Sequence, residues 1–142
     1  GGLFGLTPSQ VADRAGPLVQ ELELEPHLDN RAGSYSSGMK QKLSLVRARL
    51  LEPKALLLDE PTANLDPLSA DTIHRVVRRE ADRGLAVVLV THYQRLLDYI
   101  KPDFVHILAD GKIVKSGDAS LALEVEKSGY AFLGKAYEEA DA

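Results

Sequence analysis

The chain has 142 residues, enough for one domain or part of a larger one, and its apolar content of 44% is sufficient for a packed core. Its 17 basic and 21 acidic residues give a net charge of −4, which gives no support for a nucleic-acid binder. The absence of cysteine excludes disulfides, thiol catalysis and zinc–thiolate sites, and it fits a reducing compartment. The longest apolar runs are too short to cross a bilayer, and residues 1–6 do not resemble a signal peptide.

The N-terminal part of the chain predicts helices. Thr7 and Pro8 form a helix start, with Thr7 as the N-cap and Pro8 in the first turn. Apolar residues follow at helical spacing up to Leu22. Because Pro17 removes an amide donor and clashes with the preceding turn, we expect a kink there or two short helices.

A second helix is predicted from about Ser37 to Leu51, opened by the small residues at 36–38. One apolar stripe of this helix consists of Met39, Leu43, Val46 and Leu50. The basic residues on its other faces, which we expect to be solvated, are Lys40, Lys42, Arg47 and Arg49.

Two strands and a helix follow in the order of a parallel crossover unit. The strands are predicted at 55–59 and 86–91, and their uninterrupted apolar runs predict burial on both faces. The helix between them begins after Asp66 and ends at Gly84. Its residues expected to face inward are Leu68, Ile73, Val76 and Val77.

The last third of the chain has a different pattern. A short helix is predicted at 93–100, and Asp110-Gly111 between two apolar runs predicts a β-hairpin with strands at 104–108 and 112–116. Further helices are predicted at 119–127 and 130–139.

Two stretches carry chemistry. The first predicted strand delivers two carboxylates, Asp59 and Glu60, at its carboxyl end, which suits a magnesium–nucleotide hydrolase. The free amides at the start of the helix after Ser36, with a hydroxyl beside them, form a potential anion site. Considered alone, a DE pair also fits a solvated turn, and Ser36 also fits a plain N-cap.

The spacing of these stretches resembles the ATP-binding cassette (ABC) ATPases. YSSGM stands in the place of the family's signature motif, LLLDE resembles its Walker B strand, ANLD its D-loop, and His92 its switch histidine. The resemblance implies an α/β, P-loop NTPase-like partial domain, with parallel strands, flanking helices, part of the helical subdomain and a C-terminal β-hairpin. It divides the chain into a helical part at 1–52, the second half of the catalytic core at 53–117, and C-terminal helices at 118–142.

The resemblance also implies roles for individual residues. Asp59 would hold Mg²⁺ through water, Glu60 would polarise the attacking water, and His92 would contact the γ-phosphate of ATP. The turn that would grip the γ-phosphate of ATP bound to a second subunit consists of Ser36, Ser37, Gly38 and Met39. The D-loop, implied to contact that subunit, consists of Ala63, Asn64, Leu65 and Asp66. Here Ser37 replaces the usual glycine, Met39 the frequent glutamine, and Ala63 the usual serine.

The sequence contains no GxxxxGK[ST] motif, so it lacks the backbone cradle that holds the β-phosphate. We therefore expect these residues alone neither to bind ATP tightly nor to hydrolyse it, and we expect a fragment of a complete ATPase. Residues 3–84 resemble exporter-type cassettes, whereas residues 90–133 resemble the ATPase of the Suf iron–sulfur assembly system.

Three functions follow from these resemblances. The first is the ATP-hydrolysing subunit of an efflux transporter, which would pair with a second nucleotide-binding domain and a membrane permease, in the cytoplasm or at the inner face of the membrane. The alternatives are a Suf-type ATPase that binds scaffold proteins, and a truncated interaction module without catalysis.

Overall fold

The computed structural model describes residues 5–92 and 99–128, and the chain divides into two compact units after His92. In the first unit the order is α1 (Pro8–Glu21), 3-10 turns at Glu25–His27 and Ala32–Ser34, α2 (Ser37–Arg49), β1 (Ala55–Asp59), α3 (Pro67–Asp82) and β2 (Ala86–Val90). The described part of the second unit contains β3 (Val105–Ala109), β4 (Lys112–Gly117) and α4 (Ala119–Ser128). The predicted helices at 93–100 and 130–139 lie outside the described residues, apart from residues 99 and 100. The α/β class is confirmed.

The start of α1 is a complete capping box. The Thr7 side chain accepts a hydrogen bond from the Gln10 amide, and the Gln10 side chain accepts one from the Thr7 amide. The sequence predicted either a kink or two short helices at Pro17. The alternative of two helices is wrong, because α1 is one helix of 14 residues that includes Pro17. Leu18 and Val19 are buried directly after it. Their burial offsets the hydrogen bond that the proline cannot make.

The strands β1 and β2 pair in parallel, with Leu57 opposite Val88. The expectation that both faces of this sheet are buried is wrong. Leu56 is buried, but Leu57 is 71% exposed and Val88 is 55% exposed. Side chains alternate between the two faces of a sheet, and in this structure α3 packs beside β2 while Leu57 and Val88 remain exposed on the opposite face. An apolar run in the sequence therefore does not report how many of its faces are covered.

The core of the first unit lies where α1, α2 and α3 pack on one another. Its most completely buried apolar residues are Leu22, Leu24, Ile73, Val76 and Val77. The prediction that Leu68 faces inward is wrong, because its side chain is 67% exposed in the first turn of α3.

Two basic residues of α2 also differ from the prediction of a solvated face. Lys42 is buried, and its ammonium group lies 3.6 Å from the carboxylate of Glu23. Arg49 is partly buried and pairs with Glu80, which is itself buried. Charges enter the interior here because each has a carboxylate partner, which a hydrophobic pattern does not reveal.

In the second unit, β3 and β4 form the predicted hairpin. Ala109 pairs with Lys112, so the loop has two residues, Asp110 and Gly111, and both have positive φ, at 47° and 77°. These angles are those of a type I′ turn, which matches the twist of the strands. Helix α4 packs on both strands through a small core of Ile107, Leu121 and Val125.

Candidate functional site

The turn before α2 is built from a buried aromatic residue and a serine cap. Tyr35 is buried, and its hydroxyl donates a 2.8 Å hydrogen bond to the carbonyl oxygen of His27. Ser36 follows as the N-cap, and its hydroxyl oxygen accepts from the Met39 amide at 3.2 Å. Ser36 and Ser37 are exposed. The turn thus places a hydroxyl and the Ser37 amide at exposed positions, while Ser36 also serves as an ordinary cap for the Met39 amide.

Gly38 lies in the first turn of α2, buried against the start of α3. A Cβ atom at this position would lie 3.0 Å from the Ser69 hydroxyl oxygen, 3.3 Å from Ser69 Cβ and 3.9 Å from an oxygen of Asp66. Asp66 caps α3 by accepting from the Ser69 amide at 2.9 Å. Two predicted site segments, the 36–39 turn and the end of the 63–66 loop, are therefore neighbours. The absence of a side chain at Gly38 lets the two helix starts approach each other.

Glu60 and His92 come together because they follow neighbouring parallel strands. One oxygen of Glu60 accepts from the His92 amide at 2.9 Å and lies 2.5 Å from Nδ1 of its ring. The other oxygen accepts from the Thr91 hydroxyl at 3.2 Å. An ionised carboxylate only accepts hydrogen bonds, so these contacts assign the Nδ1 proton to the ring of His92. The His92 ring remains 68% exposed.

These contacts also set the charge of Glu60. Partial burial raises the pKa of its carboxyl group, but the hydrogen bonds from His92 and Thr91 outweigh this effect and hold the pKa below its ordinary value. Glu60 is therefore an ionised acceptor at neutral pH.

The segment from Glu60 to Asp66 is a series of tight turns. Glu60 has φ 44° and Asn64 has φ 59°, both in the left-handed region that side chains other than glycine seldom adopt. The Glu60 amide donates to the Val90 carbonyl oxygen at 2.9 Å, which ties this strained residue to the second strand. Such strain is typical of functional sites, where the surrounding structure imposes it. At the end of the segment, hydrogen bonds from Ser69 lower the pKa of Asp66.

Asp59 ends β1 with an exposed side chain. Its carboxylate is a suitable ligand for Mg²⁺, which prefers oxygen and retains several waters. Among residues 5–92 and 99–128, no group of three or more His, Cys, Asp or Glu residues forms a metal cluster.

Two residues that contact the predicted site residues were not identified from the sequence. Thr91 donates to Glu60, and its only signal is that it directly precedes His92. Ser69 contacts Gly38 across 31 residues of sequence, and no local pattern reports such a contact. His74 is buried, and its Nε2 lies 3.3 Å from the Thr62 hydroxyl oxygen.

The chain resembles known proteins in both sequence and fold. Residues 8–63 match the family model described as ABC transporter. The chain is 46% identical over 134 residues to a probable ATP-dependent transporter, ycf16, of Guillardia theta, covering 93% of this chain and 53% of that protein. It is 41% identical over 99 residues to the probable ATP-dependent transporter SufC of Escherichia coli, covering 70% and 40% respectively. It is also 43% identical over 97 residues to a probable ABC transporter ATP-binding protein of Streptococcus pyogenes, covering 68% and 38%.

The chain is a homologue of the ABC-type ATP-binding proteins. A solved structure of an ATP-binding subunit of an ABC transporter matches it with a TM-score of 0.70 at 30% identity, covering 98% of this chain and 57% of that one. An ATP-binding cassette in its ADP conformation matches with a TM-score of 0.74 at 22% identity, covering 93% and 51%, which supports the fold. This ABC homologue spans about half the length of the relatives it matches. No helix among its described residues is long and apolar enough to span a membrane.

Proposed function

We propose that this chain contributes the water-activating groups and the signature turn to the nucleotide sites of an ABC ATPase. The observation that carries the proposal is the contact between Glu60 and His92 at the carboxyl ends of two paired parallel strands. Ligands of open α/β sheets bind at this edge. The sequence similarity to ATP-binding proteins supports the same conclusion.

Glu60 acts on the attacking water in this proposal. The groups that hold its two oxygens keep it ionised, and the oxygen that accepts from the Thr91 hydroxyl has a second lone pair with which to accept from water. Orienting a water and accepting its proton as it attacks phosphorus is the task of the carboxylate in such hydrolases. His92 fixes the carboxylate and lies at the exposed edge, where its ring can contact the terminal phosphate.

The turn at 36–39 serves a second nucleotide in this proposal. Its exposed Ser36 hydroxyl and the Ser37 amide suit a phosphate, because a helix N-terminus carries partial positive charge. The resemblance to the family implies that this nucleotide is bound by a second cassette, which makes a second nucleotide-binding domain the first expected partner. The loop 63–66 would contact the same partner.

Mg²⁺ would be held in part by Asp59, and when bound it would neutralise charge on the phosphates. Asp59 stands one residue before Glu60, so the cation ligand and the water-activating group leave the strand together. The protein groups then divide the work, with Asp59 facing the cation and Glu60 facing the water.

A half-chimera tests this function. The 142 residues replace the corresponding segment of the Escherichia coli relative, so that the segment before them supplies the phosphate-binding half. We expect the chimera to hydrolyse ATP, and Glu60→Gln to lower its rate at least about 100-fold while ATP remains bound. The matched control is Glu52→Gln, at an exposed carboxylate that pairs with Arg14. Equal rates for the chimera and its Glu60→Gln variant would refute the role of Glu60.

The isolated chain is expected to hydrolyse no ATP, because no residue set within it provides the β-phosphate cradle. Phosphate release by the purified chain measures this directly. Sustained release that Glu60→Gln abolishes would contradict the expectation and favour a complete site.

Two branches of the family remain candidates for the biological role. We favour an efflux transporter, in which the chain is cytoplasmic and peripheral to the membrane through a permease, because the resemblance of residues 3–84 covers the part that docks partners. The similarity to the SufC protein favours the second candidate, a Suf-type ATPase with scaffold partners. Exchange of residues 1–52 between this chain and the Escherichia coli protein, followed by copurification with either a permease or the Suf scaffold, distinguishes the two.

A further inference from the structure

Helices α2 and α3 are joined at both of their ends. At the N-terminal ends, Gly38 lies against Ser69, which is in turn held by the cap residue Asp66. At the C-terminal ends, Nη2 of Arg49 lies 2.7 Å from Oε2 of Glu80. Each contact brings together residues that are about 30 positions apart in the sequence.

The spacing of the two contacts shows how the helices lie. Eleven residues separate Gly38 from Arg49, and eleven separate Ser69 from Glu80. At 1.5 Å per residue, both helices cover about 16 Å between the contacts. The two helices therefore run in parallel and in register, and neither can slide along the other without breaking a contact.

The ion pair at the C-terminal ends is well enclosed. The Glu80 side chain is only 4% exposed, and that of Arg49 is 23% exposed. Arg79 and Arg83 also contact the Glu80 carboxylate. Arg79 forms a further ion pair with Glu21 at the end of α1. Burial raises the pKa of Glu80, but the hydrogen bond from Arg79 and the charge of Arg49 keep it below its ordinary value.

We infer that Arg49 and Glu80 are positioning residues, which hold the 36–39 turn in a fixed place against the cap of α3 from three helical turns away. A buried ion pair contributes little net stability compared with an apolar pair, but its geometry is directional. Arg49 reaches this carboxylate through Nη2 from the last turn of α2, so the pair fixes the height of α2 against α3.

The consequence concerns the two segments that face the second nucleotide. The 36–39 turn begins α2 and the 63–66 loop ends at the cap of α3, so the pair of helices carries both segments as one body. The assignment of these segments to a nucleotide rests on the proposed function. The coupling of the helices is a property of this chain and stands apart from that assignment.

Distances between spin labels test the coupling. The chain has no cysteine, so Lys40→Cys and Leu68→Cys give two unique label sites, both at exposed positions near the N-terminal ends of α2 and α3. In the 142-residue chain without nucleotide we expect one narrow distance distribution. With Arg49→Met added, we expect the width of the distance distribution to increase at least twofold. With Arg49→Lys added instead, we expect a width close to that of the chain with Arg49.

The matched control is Arg47→Met, which removes the same charge from an exposed position on the same helix. It should leave the distribution unchanged. An unchanged distribution in folded Arg49→Met would overturn the inference, because a merely local ion pair would not affect a distance measured about 16 Å away. If Arg49→Met does not fold, Glu80→Gln is measured instead, with the same two outcomes. Because no nucleotide is used, failure here is distinct from failure of the ATPase proposal.

Discussion

Gly38→Ala tests whether the close approach of α2 and α3 requires glycine. In a helix the change from glycine to alanine gains up to about 1 kcal/mol in an interior position, and less in the first turn. At Gly38 the added methyl group would lie 3.0 Å from the Ser69 hydroxyl oxygen and 3.3 Å from its Cβ. The hydroxyl can rotate away, but the Cβ is fixed to the backbone of α3. Overpacking of this kind costs about 1–3 kcal/mol, so we expect a net loss of about 1 kcal/mol.

Gly33→Ala is the control for this substitution. Gly33 lies in the 3-10 turn Ala32–Ser34 without a positive φ, and a Cβ there would meet nothing within 4 Å. We expect it to stabilise the chain by up to about 1 kcal/mol, which is the opposite sign. Urea unfolding followed by far-UV circular dichroism measures both changes.

Ser69→Gly provides the decisive comparison because it removes both atoms that crowd the new methyl group. The Asp66 cap survives, since it uses the backbone amide of residue 69. We expect Gly38→Ala to cost at least about 1 kcal/mol less in the Ser69→Gly background than in the native chain. Additive effects of the two substitutions, within about 0.5 kcal/mol, would refute the steric explanation of Gly38.

Three further predictions concern charge and packing. Glu80→Gln should cost about 3 kcal/mol in urea unfolding, because it removes the buried carboxylate and leaves the partly buried guanidinium groups of Arg49 and Arg79 facing a neutral amide. Leu22→Ala should cost about 2–5 kcal/mol, since Leu22 is fully buried. The lowered pKa of Glu60 should contribute stability that is present above the ordinary pKa of a glutamate and lost as the pH falls through the folded-state value. In His92→Ala, which removes the ring donor, nuclear magnetic resonance titration should show the pKa of Glu60 moving back towards its ordinary value.

Each of these predictions has a contrasting measurement. Asp71→Asn breaks an exposed ion pair with Arg75 and should change stability by less than about 0.5 kcal/mol. Leu68→Ala removes an exposed side chain and should have a similarly small effect. If Asp71→Asn matched Glu80→Gln, burial would not explain the cost of the latter. An unchanged Glu60 pKa in His92→Ala would assign the shift to the backbone amide and Thr91 alone.

The local structural features of this chain agree with those predicted from its sequence. The Thr7 capping box, the Asp66 cap and the Asp110-Gly111 hairpin each depend on residues within a few positions of one another. The parallel pairing of β1 and β2 also agrees with the prediction, because a strand–helix–strand pattern allows few arrangements.

The wrong predictions share a physical cause. The exposure of Leu57 and Leu68, and the burial of Lys42, depend on which distant elements cover each face. Hydrophobic periodicity reports which side chains share a face, but it does not report what packs against that face. Continuation of α1 through Pro17 likewise depends on core packing by the residues that follow it.

By itself, the sequence determined the order of the elements, their caps and turns, and the residues that resemble an ATP site. These are encoded by residue type and short spacing. Only the tertiary structure decided that Glu60 contacts His92, that Gly38 contacts Ser69, and that Arg49 pairs with Glu80. Each of these contacts joins residues about 30 positions apart, and their meeting depends on how strands pair and helices pack rather than on any local pattern.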